Sequence, residues 1–147
     1  MTGRWLAKND RELAQIEGGL GPDWLDVSRP ELDALLAKRR GSIKATLMDQ
    51  SFAAGLGNLA GDESLWQARI DPRRAVSSLD EGEREMLYRK IQKVLRDSLP
   101  YGLVPSKRTW LTGARDRRDA ACPRCGTPLR RVKIGGRTTG FCPEEQT

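Results

Sequence analysis

Residues 43–72 read IKATLMDQSFAAGLGNLAGDESLWQARIDP, and the reading of this stretch decides the fold. Ile43, Leu47 and Met48 fall at helical spacing, and the helix they predict starts near Ser42. The chain then passes Gly55-Leu56-Gly57-Asn58, where two glycines around a leucine supply turns that bulkier residues resist. Asn58 is a good N-cap for a further helix carrying Leu59, Leu65 and Trp66, and Pro72 closes the unit. Two helices therefore meet through consecutive turns. Lys44 lies on the first, and Asn58 marks the start of the second, where backbone N–H groups and the helix dipole favour an anion.

Outward from this unit the pattern stays helical. Upstream, Gly18 to Pro22 is a turn-rich connector, and Gly3 to Lys8 reads as a lone strand. Ser28-Arg29-Pro30-Glu31 is a capping box opening a helix with Leu32, Leu35 and Leu36 on its apolar stripe. Downstream, Ser78-Leu79-Asp80-Glu81 reads as a second capping box. It opens the longest helix, about residues 79–98, with Met86, Leu87, Ile91, Val94 and Leu95 on one buried face. Pro100-Tyr101-Gly102 stops it. Residues 101–121 read as an irregular basic linker anchored by Trp110 and Leu111. Leu129–Ile134, Gly135-Gly136 and Thr138–Phe141 then read as strand, turn and return strand. The expected organisation is mainly α: a remnant strand and connector over 1–21, a helical domain over 22–100, the linker over 101–121, and a β-hairpin finger over 122–147.

The 147 residues carry a formal charge of +6, and its placement says more than its size. Residues 107–140 hold ten Lys or Arg against Asp116 and Asp119, a local balance of +8 that leaves the remainder slightly acidic. A basic block confined to one segment suits a polyanion partner, because each neutralised phosphate releases condensed counterions. The chain has no histidine, which excludes Ser-His and Cys-His nucleophilic chemistry and imidazole metal ligands. No apolar run approaches the ~18–20 residues of a membrane span, and the start lacks a secretory pattern.

Cys122-Pro123-Arg124-Cys125, with Cys142 following after sixteen residues, outlines a zinc ribbon, in which each knuckle offers two ligands to one tetrahedral ion. A full set of thiolates would place a cysteine at 145, where this chain has Glu145. Either the Glu145 carboxylate is the fourth ligand beside Cys122, Cys125 and Cys142, or the finger folds without a full metal site.

The two motifs together resemble the formamidopyrimidine-DNA glycosylase and endonuclease VIII family. IKATLMDQ…AAGLGNLAGDESLWQARIDP resembles its helix–two-turns–helix signature, and CPRCGTPLRRVKIGGRTTGFC its C-terminal zinc finger; the likeness runs from about Gly3 to Gln146. It implies that Lys44, Asn58 and the hairpin residue Arg137 grip phosphates flanking a lesion in double-stranded DNA. It also implies that Asp62 and Glu63 are scaffold residues rather than catalysts. The implied chain is a monomeric, cytoplasmic and nucleoid-associated DNA-binding half of a base-excision-repair glycosylase and lyase. The family's N-terminal Pro-Glu, which supplies an amine nucleophile and an acid/base, has no match here, and Thr2 stands in the wrong structural place to replace it. Activity would require a completing N-terminal part or partner chain.

Overall fold

The computed structural model describes residues 21–102 and 104–147; the strand expected over Gly3–Lys8 and most of the connector lie outside them. Four α-helices, α1 (Arg29–Ala37), α2 (Ile43–Met48), α3 (Asn58–Gln67) and α4 (Glu81–Ser98), precede one hairpin of β1 (Arg130–Ile134) and β2 (Arg137–Phe141). Short 3-10 turns at Trp24–Asp26, Val76–Ser78, Leu99–Tyr101 and Leu111–Gly113 join them. The mainly helical expectation holds.

The helices form where caps and apolar spacing agree. Ser28 accepts from Glu31 N while Glu31 reaches back to Ser28 N, so the expected box opens α1, with Pro30 in its first turn. Ser42 caps α2 through Ala45 N. At α4 the box lies two residues later than expected: Asp80 is the N-cap and Glu83 its partner, while Ser78 ends a 3-10 turn. Glu83 also pairs with Arg74, a contact that sequence spacing does not contain. At α3 the N-cap is Gly57, with no side-chain cap, and Asn58 occupies the first helical position. Its amide is committed elsewhere.

One core runs through the helical body. Trp24, Leu32, Ile43, Leu47, Phe52, Leu65, Leu87, Ile91 and Val94 are wholly buried in it, each contributing about 1.5–3 kcal/mol of burial. Met86, expected on the buried face of α4, is 43% exposed, and Leu59 on α3 is 40% exposed. Trp110 anchors the segment after α4 into this core, and Leu111 anchors it into a second, smaller cluster with Trp66, Cys122 and Cys142. The expected linker is thus pinned at two adjacent residues.

The hairpin pairs antiparallel from Arg130↔Phe141 to Ile134↔Arg137. Both turn glycines, Gly135 and Gly136, have positive φ (58° and 78°), as a two-residue turn matching strand twist requires. Thr139, Gly140 and Phe141 are buried while Arg137 and Thr138 are exposed, so β2 lies against α3 with its first residues at the surface.

Candidate nucleic-acid interface and metal centre

Helix α3 joins the two halves through a buried carboxylate. Asp62 is wholly buried. Its Oδ1 pairs with the Lys44 ammonium from α2, and its Oδ2 accepts from Arg115 Nε at 2.7 Å and Gly140 N at 3.0 Å. Arg115 also donates from Nη2 to the Thr138 carbonyl at 2.7 Å. A Cβ at position 140 would meet Arg115 Cγ at 2.9 Å, so glycine is what allows this approach. Two cations and a strand N–H thereby meet one anion, which offsets the cost of burying the charges.

Asn58 reaches the same strand residue from the start of α3: its Nδ2 donates to the Thr138 carbonyl at 2.9 Å. The uncapped N-terminus of α3 is therefore tied directly to the hairpin one residue from the exposed Arg137. Lys44 lies near both. Burial dominates its titration and lowers its pKa; Asp62 pulls the other way, while the charges of Arg115 and Arg137 add to the lowering. The structure thus gathers Lys44, Asn58 and Arg137 in one neighbourhood, but on different terms. Lys44 is 0% exposed and its ammonium faces Asp62, whereas Arg137 is exposed.

Arg115 is the member that sequence reasoning missed. Six residues of 113–118 are Gly-Ala-Arg-Asp-Arg-Arg, and nothing in that string separates the buried arginine from its exposed neighbours Arg117 and Arg118. The neighbouring Glu63 is also wholly buried, accepting from Gln67 Nε2 and Thr112 N. Burial raises its pKa against those hydrogen bonds. Both acidic residues are occupied in holding the scaffold.

In the finger, the ligand atoms of Cys122, Cys125 and Cys142 lie within 4.8 Å of one another. Sulfur acceptors are already matched by donors: Trp66 Nε1 to Cys122 Sγ at 3.4 Å and Glu145 N to Cys142 Sγ at 3.4 Å. Burial opposes the Cys122 thiolate, but N–H groups of Cys125, Trp66 and Arg124 outweigh it and lower its pKa; burial pushes Cys142 up to about 11. Three soft thiols on two knuckles, with N–H groups turned to the sulfurs, fit zinc. The fourth expected ligand, Glu145, is not in this group: its Oε2 pairs with Arg69 Nη1 at 3.1 Å. The cluster itself is therefore three thiols, Cys122, Cys125 and Cys142.

A family model described as the formamidopyrimidine-DNA glycosylase H2TH domain matches residues 19–107, and one described as a zinc finger found in FPG and IleRS matches residues 121–144. The formamidopyrimidine-DNA glycosylase of Herpetosiphon aurantiacus is 34% identical, covering 96% of this chain and 56% of the relative. That of Desulfitobacterium hafniense is 37% identical over 94% and 56%. Among solved structures, Lactococcus lactis Fpg in complex with an abasic-site-containing DNA superposes with a TM-score of 0.78 at 28% identity, covering 94% of this chain and 55% of that one. MutM (Fpg) from Thermus thermophilus superposes at 0.75 with 34% identity, over 86% and 53%. The chain spans about half the length of the relatives it matches. With both family models matching in order and the helix pair and three-thiol zinc finger in place, this chain belongs to the formamidopyrimidine-DNA glycosylase family, of which it carries the H2TH domain and the zinc finger.

Proposed function

We propose that this chain binds double-stranded DNA through the sugar–phosphate backbone and serves as the DNA-binding half of a base-excision-repair glycosylase. The observation that carries the reading is the bond from Asn58 Nδ2 to the Thr138 carbonyl. It sets an uncapped helix start, with its unsatisfied N–H groups and positive dipole end, beside the hairpin that presents Arg137. Both are anion-binding devices, and neither reads bases. Arg137 contacts a phosphate directly, Asn58 positions the helix start at one, and Lys44 holds α2 against the hairpin through Asp62. Exposed arginines and lysines along the finger and the segment before it extend the favourable potential. Relatives solved with abasic-site and 8-oxo-G containing DNA support damaged duplex as the substrate class. The setting is the cytoplasm, at the nucleoid, with the chain acting as a monomer.

The test is fluorescence anisotropy on a duplex carrying an abasic analogue, titrated across salt. A few phosphate contacts at about −0.9 each predict a slope of roughly −2 to −4 in log K against log salt. A flat salt response would remove the reading. Strand cleavage belongs to the assembled glycosylase, and borohydride trapping on abasic DNA checks it: only an amine nucleophile leaves a covalent adduct, and this chain alone is expected to leave none.

A further inference from the structure

The two knuckles of the finger are built alike at the backbone and differently at their last side chain. In the first, Gly126 N donates to the Cys122 carbonyl at 2.9 Å; in the second, Gln146 N donates to the Cys142 carbonyl at 3.0 Å, with the N–H of Glu145 turned to the Cys142 sulfur at 3.4 Å. Position 145 therefore occupies the place from which a cysteine would return its sulfur to the group, as Cys125 does. A thiolate sulfur is one bond from Cβ, whereas a glutamate oxygen is three, so from the same Cβ the carboxylate overshoots. The chain on either side is fixed. Cys142 N donates to Gln146 Oε1 at 2.8 Å, Gln146 Nε2 donates to the Ile70 carbonyl at 2.9 Å, and Thr147 pairs with Arg69 and Asp71 through its backbone. The backbone cannot retreat to shorten the reach, and the carboxylate rests on Arg69. With Arg69 exposed, that ion pair is weak in itself; the pinned backbone and the length of the side chain are what decide.

No other soft donor is at hand. All three cysteines of the chain are already in the group, and there is no histidine. Cys125 is exposed, so one side of the group opens to solvent. We propose that the zinc of this finger is held by Cys122, Cys125 and Cys142 alone, and that its fourth position is an exchangeable site for an external monodentate nitrogen or sulfur donor. The family fold is kept while a closed structural site becomes an open one.

Cobalt(II) loaded into the full chain reports this directly, because its visible d–d bands follow the ligand set. Adding imidazole shifts the bands of the unmodified chain. Glu145→Gln starts from the same spectrum and shifts in the same way, and it holds zinc within about twofold of the unmodified chain in competition with a chromophoric chelator. Glu145→Cys closes the site: its bands ignore imidazole, and its thiolate-to-metal absorption is about a third greater, in proportion to four sulfurs in place of three. A spectrum that changes on Glu145→Gln alone makes the carboxylate a ligand and overturns the proposal. So does an unmodified chain that takes up cobalt but ignores imidazole, or one that takes up none. Far-UV circular dichroism of each variant confirms that the comparison is between folded chains.

Discussion

Among the described residues, eighteen buried apolar side chains form one cluster in the helical body, whereas the finger's cluster has four, of which two are the ligands Cys122 and Cys142 and one, Trp66, is borrowed from α3. The body can be held by hydrophobic burial alone. The finger cannot, because a two-stranded hairpin is marginal in water without further support. It has three such supports: the zinc thiolates, the face of α3, and the buried charge cluster around Asp62. The difference teaches that the surface proposed to meet DNA is assembled at a seam, with one contributor rigid and the other conditional on metal. The comparison breaks most readily at the metal. Chelation is expected to abolish amide protection across Arg130–Phe141 while leaving the helical circular dichroism signal nearly unchanged, since structural zinc is worth about 10–16 kcal/mol in finger peptides and two of the four residues in the finger's small apolar cluster are themselves its ligands. Hydrogen exchange before and after chelation measures it, and persistent hairpin protection would show that the apolar cluster suffices.

The seam itself is the next target. Asp62→Ala leaves Lys44 and Arg115 buried without their common partner, and removing one member of such a buried set costs about 3–5 kcal/mol. Urea denaturation is expected to show that loss, with the hairpin detaching before the body unfolds. A loss under about 1 kcal/mol would mean that the cluster is solvated, like a surface ion pair. The surface residue of the same neighbourhood behaves oppositely. Arg137→Ala is expected to leave the melting temperature unchanged while weakening DNA binding about five- to tenfold at low salt and making the salt slope shallower by about 0.9. An unchanged slope would take Arg137 out of the interface.

How much of this was legible in the sequence follows from how local each feature is. The Ser28–Glu31 box and the Cys122/Cys125/Cys142 spacing are short-range patterns, and both stand where they were expected. The burial of Lys44 is not local. It depends on Asp62 eighteen positions on and on Arg115 fifty-three beyond that, and a helix lysine carries no mark of such partners. One signal was available: Asp62 and Glu63 sit among Ala60, Gly61 and Ser64, small residues that suit a helix packed closely on its neighbours, and a charge in such a place requires a cation. Which cation could not be read, because Arg115 lies in a basic stretch of similar residues. Glu145 shows a related limit: the spacing marks position 145, but its contact with Arg69, seventy-six positions earlier, is not local.

The smallest effect concerns where α4 begins, and there the sequence offered two overlapping answers. Ser78 and Asp80 are both good N-caps, and each has a glutamate three residues later, Glu81 or Glu83. Spacing alone does not separate them, but what surrounds each glutamate does. Arg74 holds Glu83 by two guanidinium nitrogens and donates to the Ser78 carbonyl as well, so the later box is reinforced from outside the helix while Glu81 is left exposed. Asp80 accepts from Glu83 N at 2.7 Å, and a carboxylate there also favours the positive end of the helix dipole. Asp80→Ala is therefore expected to cost about 1 kcal/mol. Ser78→Ala, which removes only the hydroxyl contacts to Ala75 and Arg74 in a 3-10 turn, is expected to cost under about 0.5 kcal/mol. Equal losses in thermal denaturation would mean that both boxes are populated and that the first turn of α4 frays. A larger loss at Ser78 would restore the earlier start and take from Arg74 its part in choosing the helix boundary.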